Sequence, residues 1–279
     1  MSSYRFCRTD DVSLLVDALN HSWSPHFPGE PAVTAASFKR SIRDLQVWCS
    51  SCMVAFAGAD PIAVLIGAKR PSGTLIHKIA VHPDHLRQGH GRHLLTSLSS
   101  KLSILGPPKM IAEVPESFAV PRALFSACGY VEEAVLTDYV LERPFPGEHV
   151  DGFVIPVTVD DLAANDLLAG GDSHVCWERS IETLTARKDE IEGLAVASDE
   201  RYEAFILYSK DGEILSMRSF VEDDGARLKQ LLAQLGAQGA KTFRIQKVHP
   251  AEISTELIER LGLRPAGAHL VYAAKARPA

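Results

Sequence analysis

VHPDHLRQGHGRHLL, residues 81–95, decides how this chain is read. It follows the apolar run TLIHKIAV (74–81) and leads into RHLLTSLSSKL (92–102), where Leu94, Leu95, Leu98 and Leu102 recur at helical spacing. The first run predicts a strand and the second a helix. Between them stand Gly89 and Gly91, with Arg87 and Arg92 and with His82, His85, His90 and His93 around them. A helix begins with N–H groups that have no partner inside it and with a partial positive charge. A preceding loop that turns its own N–H groups the same way makes an anion cradle. Glycine lets an anion approach the backbone without a Cβ between them, and the two guanidinium groups add full charge. The stretch therefore reads as a pyrophosphate site, although a glycine pair alone is equally at home in a plain strand-to-helix turn. Two familiar phosphate loops are excluded. No G-K-[ST] follows, and the third glycine and downstream acid of the dinucleotide fingerprint are missing.

The 279 residues suit two ordinary domains or one large one, and 46% hydrophobic with 23% charged residues suits a globular protein with real cores. No apolar run is long enough to cross a bilayer, and the N-terminus lacks the basic-then-apolar pattern of a signal peptide. A cytoplasmic protein is expected. Five cysteines, an odd number, argue for a reducing compartment and against a disulfide framework. The lone C-x-x-C at Cys49 and Cys52 has no second ligand pair and reads as small residues at a strand edge. The net charge of −6 is uneven: residues 1–146 carry 14 Lys+Arg against 13 Asp+Glu, residues 147–279 carry 15 against 22. So acidic a second half argues against nucleic-acid and anionic-membrane partners.

Around the loop the first half reads as strand, helix (Val12, Leu15, Val16, Leu19), a Pro/Gly-rich loop NHSWSPHFPGEP, a helix over 35–45, and an apolar hairpin turning at Gly58–Pro61. After the leucine-rich helix come the strand KMIAEV, a short helix that Pro121 opens and Gly129 closes, and the strand AVLTDYVLE. ERPFPGEHVDG (142–152) then reads as a linker. The second half repeats the pattern weakly. FVIPVTVDDLAANDLLA echoes RFCRTDDVSLLVDALN, YEAFILYSKDGEILSMRSFV echoes the hairpin plus the next strand, GARLKQLLAQLGA echoes the leucine helix, and both short helices end in Gly plus a large apolar residue (Gly129-Tyr130, Gly262-Leu263). Duplication followed by divergence is the simplest account.

A strand ending I-A-V, then H-P-D-H, then x-x-x-G-x-G and an apolar helix resembles motif A of the GCN5-related N-acetyltransferases. EVPESFAVPRALFSACGY also lines up without gaps on that family's E-V-x-x-x-N-x-x-A-x-x-L-Y-x-x-x-G-F. The resemblance covers residues 4–142. It implies an α/β (α+β) fold of two GNAT-like domains, 1–145 and 150–279, each a mostly antiparallel mixed sheet flanked by helices. It implies acetyl-coenzyme A as cofactor, its pyrophosphate on Leu86, Arg87, Gln88, Gly89, His90, Gly91 and Arg92, and its pantetheine arm on Ile79, Ala80 and Val81. Three departures stand out: Leu86 replaces the usual Arg, Phe118 the usual Asn, and Phe125 the frequent general-acid Tyr.

Acetyl transfer to an amine needs a base, because such amines are mostly protonated at neutral pH. His77, on the strand before the loop, is the first candidate, by resemblance to the arylalkylamine branch of the family; Glu113 on the next strand is the alternative. Ser126, Cys128 and Tyr139 are candidates for the acid that Phe125 cannot be. His21, Trp23, His26 and Phe27 offer an acceptor surface where the family forms its acceptor pocket. No metal site is expected. In the second half the matching stretch, FVEDDGARLKQLL, is shorter, has one glycine, and puts Glu222, Asp223 and Asp224 where phosphate would sit. These carboxylates repel an anion, so residues 150–279 are expected to be a degenerate copy. The expectation is an acetyl-CoA-dependent N-acetyltransferase acting on a small-molecule or peptide amine, a pseudo-dimeric monomer or weak homodimer. The alternative is a non-catalytic acyl-CoA-binding sensor or scaffold.

Overall fold

The computed structural model describes residues 2–142, 153–168, 175–239 and 242–278. The chain forms two compact units, one of Met1–Ala134 with Leu270–Ala279, the other of Val135–His269. The division falls at Ala134 rather than in the stretch 145–150, and the last residues of the chain go with the first unit. Of the expected linker, 143–152 lie outside the described residues.

The first half contributes β1 (Ser2–Phe6), α1 (Val12–Ser22), α2 (Ala35–Leu45), β2 (Met53–Ala57), β3 (Asp60–Arg70), β4 (Gly73–Val81), α3 (His90–Leu105), β5 (Lys109–Pro115), α4 (Ala119–Ala127) and β6 (Val131–Glu142). β1 to β4 form an antiparallel meander, and β5 joins β4 in parallel. Ile62 to Ile66 of β3 are each at most 1% exposed, because α1 and α3 both pack on that strand. Leu94, Leu95, Leu98 and Leu102 of α3 are the buried stripe that their spacing predicts. Thr34 and Ser37 cap α2 reciprocally. α4 opens two residues before Pro121, whose missing N–H costs nothing in a first turn, and Gly129 follows its end at φ +80°.

The strand beside β5 comes from the far end of the chain. β12 (Arg264–Lys275) enters the first unit at Leu270. The N–H of Ala276 donates to the Pro108 carbonyl at 2.6 Å, and Leu270, Tyr272 and Ala276 join the core formed by the α3 leucines, Met110, Ala112 and Phe125. β6 makes the reciprocal move, since from Val135 onward it belongs to the second unit and pairs there.

The second unit holds β7 (Phe153–Pro156), α5 (Val159–Ala164), α6 (Ile181–Ala186), β8 (Ile191–Ala197), β9 (Tyr202–Ser209), β10 (Ile214–Ser219), α7 (Ala226–Ala237), β11 (Thr242–Val248) and α8 (Thr255–Arg260). β7 to β10 are antiparallel neighbours, a parallel bridge from Glu213 to Arg244 leads to β11, and β11 pairs with β6. The alternation of a strand sends Leu194, Val196, Ile206 and Met217 against the α7 leucines, and Ala195, Phe205, Leu207 and Leu215 against Val159, Leu162 and Leu184. The repeat is real in element order, with one correction. YEAFILYSKDGEILSMRSFV supplies only β9 and β10, and the counterpart of β2 is β8, in IEGLAVA. Two strands and their Asp211–Gly212 turn fill that stretch, leaving no length for a third.

All five cysteines are free. Cys49 and Cys52 are buried, burial pushes both thiols up, and the Cys52 Sγ donates to the Trp48 carbonyl at 3.3 Å. The C-x-x-C is therefore a packing feature. Among the described residues no helix is long and apolar enough to cross a membrane.

A chain ending at His269 is expected to lose the cooperative unfolding of the first unit. It removes the strand beside β5 and two large buried side chains, each worth about 2–5 kcal/mol. Thermal unfolding and limited proteolysis of the truncated chain check this.

Candidate functional site

β4 and β5 pair at two rungs only, Thr74 with Met110 and Leu75 with Ile111. Beyond these β4 runs on to Val81 and β5 to Pro115, leaving a wedge. What faces the wedge follows from the ladder with β3. The N–H of His82 donates to the Ile62 carbonyl at 2.8 Å, so 62/82 is a hydrogen-bonded pair of the antiparallel ladder. By alternation 64/80 is another such pair, and 63/81 and 65/79 are not. Ile79 and Val81 thus turn their N–H and C=O groups into the wedge, whereas the backbone of Ala80 is committed to β3. Of the three residues expected along a pantetheine arm, only Ile79 and Val81 offer hydrogen bonds.

The wedge opens onto the loop. After a single turn over Pro83–His85, which the His82 ring caps through Asp84 N–H at 3.3 Å, Arg87 (φ +62°) and Gly89 (φ +87°) take left-handed conformations and α3 begins at His90. Holding a non-glycine residue in that conformation costs about 1–2 kcal/mol. Two left-handed residues within three positions curl the backbone into the concavity that binds anions. Leu86, Arg87, Gln88, Gly89 and Arg92 are all exposed. Gly91 also has a packing reason. A Cβ there would lie 3.0 Å from the Leu124 side chain and 3.8 Å from Val81, so this glycine admits α4 against the first turn of α3.

The rings of His90 and His93 turn to Tyr4. His90 is 4% exposed and its Nδ1 is 2.6 Å from the Tyr4 hydroxyl, while the His93 ring lies tilted against the Tyr4 ring at 3.8 Å. At both positions the imidazole serves β1, and only the backbone of His90 remains for an anion. Burial, then the neighbouring His85 and His93, hold the His90 pKa below its ordinary value.

His21, which the structure places in the last turn of α1 rather than in the expected loop, gathers with Trp23, His26 and Phe27 at the end of β4. The His26 Nε2 is 2.8 Å from the Val81 carbonyl, and His21 stacks on His82 at 4.7 Å. Trp23 stacks on Phe27 at 4.5 Å, donates from Nε1 to Glu30 at 3.0 Å, and lies under the Lys78 ammonium at 4.0 Å. Phe27 in turn meets Phe118, ahead of α4, at 5.5 Å. An aromatic wall therefore joins the β4 side of the wedge to the β5 side. Its members are exposed or half-buried, as a ligand-facing surface requires and a core plug does not.

His77 is the extra residue of a bulge: Lys78 opposes Ile66 while Ile76 opposes Gly67. Glu113 is half-buried on β5, on the face opposite Met110, Ala112 and Val114, which enter the core. Ser126 is exposed on α4. Cys128 is half-buried, and burial raises its thiol pKa. Phe125 is 2% exposed, packed against Tyr130 at 5.1 Å and stacked on Tyr272 at 5.9 Å. Tyr139 belongs to the second unit and packs on its core.

In the second unit the chain fills the equivalent features with its own groups. Asp223 accepts from the N–H of Gly225 at 3.1 Å and of Arg227 at 3.0 Å, at the start of α7. Arg227 pairs with Asp223 at 2.9 Å and Glu203 at 2.6 Å. A built-in carboxylate thus sits where the first unit has an open cradle; Asp224 turns instead to Arg260. Between β10 and β11 the buried Arg179 reaches the Leu215 carbonyl at 3.4 Å and the Lys247 carbonyl at 3.3 Å, and holds Glu252 with both terminal nitrogens. Nothing in the sequence marks Arg179, a lone arginine far along the chain from both strands whose gap it fills.

Two outcomes follow. Arg179→Ala takes a buried guanidinium away from two strand carbonyls and from the half-buried Glu252, and is expected to cost about 3–5 kcal/mol in chemical denaturation. Because the His90 pKa is depressed in the fold, its contribution to stability is fully present above its unfolded value of about 6.5 and is lost as pH falls from there through the lower folded pKa. Denaturation of His90→Leu is expected to show a shallower loss of stability on acidification than the parent chain.

Residues 15–130 match the family model described as Acetyltransferase (GNAT) family. The sequence matches no curated protein. Among solved structures, a tandem GNAT protein from the clavulanic acid biosynthesis pathway is 15% identical with a TM-score of 0.68, covering 100% of both chains. A putative acetyltransferase from Pyrococcus horikoshii is 18% identical with a TM-score of 0.66, covering 99% of this chain and 90% of that one. A GCN5-related N-acetyltransferase from Sphaerobacter thermophilus is 14% identical with a TM-score of 0.68, covering 99% and 96%. At these identities the likeness is one of fold. The parted strands, the left-handed loop and the match of residues 15–130 to the GNAT acetyltransferase family model fall in the same region, and the chain as a whole shares the fold of tandem GNAT proteins.

Proposed function

We propose that the first unit binds acetyl-CoA in the wedge between β4 and β5 and that the protein transfers the acetyl group to a primary amine of a small molecule or peptide. The observation that carries this reading is the continuity of the wedge with the loop. The inward-facing backbone groups of Ile79 and Val81 lead to Arg87 and Gly89 in left-handed conformations at the start of α3. These residues fit the cofactor: free amide groups for an arm with amides of its own, then a concave, positively charged turn for a diphosphate.

When bound, the thioester supplies an acyl carbon activated toward nucleophiles. The N–H of Val81, at the strand end, would polarise its carbonyl oxygen, a fixed-dipole effect of the oxyanion-hole kind, while the Ile79 backbone would pair with the arm. Arg87, Arg92 and the loop backbone hold the diphosphate. His21, Trp23, His26 and Phe27, with Phe118, make the acceptor wall, and His26 fixes that wall to β4 through the Val81 carbonyl. An alkylamine reaches this wall protonated, and His77 is the base that deprotonates it, with Glu113 as the alternative. Positioning two substrates at one strand end supplies much of the remaining acceleration. The second unit, with its cradle occupied by Asp223 and its strand gap by Arg179, has no place for a second cofactor molecule.

Phe125 keeps the non-catalytic reading in play, since a buried phenyl ring gives no proton. Calorimetry with acetyl-CoA and a thiol-release assay over a panel of amines decide between the two. The expected result is binding, with thiol release only when an amine is present. Gly89→Val, which forces a β-branched residue to φ +87°, is expected to weaken binding at least about tenfold. Binding without thiol release on any amine supports the sensor, and absence of binding overturns the site.

A further inference from the structure

The far end of the β3–β4 hairpin carries a groove that acetyl transfer does not use. Its volume is about 340 Å³, and Trp48, Lys69, Arg70, Pro71, Leu105 and Pro107 line it. All of them belong to the first unit. Lys69 and Arg70 pair with Thr74 and Gly73 at the start of β4, whereas the wedge lies beside its end at Val81. From Gly73 to Val81 a strand rises roughly 26 Å. The groove is therefore neither the cofactor cleft nor the acceptor wall.

Single apolar side chains on a surface are commonplace, but here they gather. Trp48 is 53% exposed and Leu105 68%, with Ile104 beside it at 80%. The indole stands on a fixed base. Val47 bridges Ala68, the Trp48 N–H donates to the Gly67 carbonyl at 3.0 Å, and the Lys69 N–H donates to the Gln46 carbonyl at 3.0 Å. Residues 46–48 thus run along the end of β3 and hold Trp48 at the rim. Gln46 starts this run at φ +59°, and its side-chain oxygen accepts from the Arg70 Nε at 2.7 Å.

The charge in the groove has one sign. Of the residues that line it, two are basic and none is acidic. Arg70 is 4% exposed and forms the floor. The Lys69 ammonium lies 5.8 Å from the Trp48 ring centroid and donates to the carbonyl of Leu105, the last residue of α3, at 3.1 Å. That bond occupies one of the three N–H groups an ammonium carries. A lysine at a helix end serves the helix dipole by itself. The indole, the leucine and the two prolines add what a helix cap has no use for, apolar walls around a cation held in place.

We propose that this groove binds a small carboxylate with a flat apolar body, its carboxylate on Lys69 over the Arg70 charge and its body between Trp48 and Leu105. Size and lining suit such a ligand, because small-molecule sites begin near about 300 Å³ and are mostly apolar with a few placed polar groups. A protein partner needs more surface, about 800 Å² a side. A single negative charge also fits better than a phosphate dianion, which loses more solvation against the same apolar walls.

The test uses the full-length protein and three fluorinated probes, 4-(trifluoromethyl)benzoate, 4-(trifluoromethyl)phenylacetate and 4-(trifluoromethyl)cinnamate, each beside its neutral primary amide. Titrations are followed by fluorine NMR. The expected result is saturable one-to-one binding of at least one carboxylate, with its amide at least about tenfold weaker, the size of one charge-assisted hydrogen bond. Lys69→Gln, which keeps a donor for the Leu105 carbonyl, is expected to weaken the carboxylate by a similar factor and leave the amide unchanged. Trp48→Ala is expected to weaken both. Cooperative thermal unfolding of each variant separates loss of the site from loss of the fold. No saturable binding of any of the three carboxylates, equal binding of acid and amide, or binding indifferent to both substitutions overturns the site. These results leave the acetyl-transfer reading standing, and failure of coenzyme A to bind leaves this site standing.

Discussion

The parting of β4 from β5 after two rungs is the constraint on which the first unit is built. Two parallel strands that begin together and then diverge leave backbone donors and acceptors without a ladder. Buried backbone groups of this kind are rarely left unpaired in proteins. The chain meets this in two ways, one in each unit. In the first unit, Val81 gives its carbonyl to His26, and the rest of the edge stays available beside an open cradle. In the second, Arg179 bonds a carbonyl on each strand, and Asp223 occupies the helix start that would otherwise attract an anion. The same architecture thus keeps an open wedge and loop in one copy and is filled by its own side chains in the other.

The proposed degeneracy of the second copy has a physical basis beyond charge. Repulsion by the acidic run at 222–224 is part of it, but the structure assigns its members separate tasks. Asp223 is an internal ligand of the α7 amides, held by Arg227, while Asp224 pairs with Arg260 on α8. A carboxylate already bonded to the helix start leaves an incoming phosphate no donors, whatever the net charge nearby.

The exchange of terminal strands ties the halves into one folding problem. The first unit lacks a strand beside β5 until Leu270–Lys275 arrive, and the second takes β6 from the first half of the sequence. A tyrosine occurs on both exchanged strands, Tyr139 on β6 and Tyr272 on β12. Counting along the sequence assigns Tyr139 to the cradle-bearing half. The exchange gives that unit Tyr272 instead.

The sequence by itself determined the local elements, the anion-loop reading of 81–95, the repeat of element order, and the aromatic loop at 21–27. Each of these is a short-range property: hydrophobic periodicity, glycine and proline placement, and charge within a few residues. It did not determine that Ala80 faces β3 while Ile79 and Val81 face the wedge, because that parity is set by the register with Ile62. Nor did it decide that Gly91 serves α4 packing or that His90 and His93 turn to Tyr4, since these depend on side chains many residues away. The owner of the last strand, and with it Tyr272, was decided by tertiary structure alone. Two strands of similar apolar pattern can fill either edge, and only the packed units select between them.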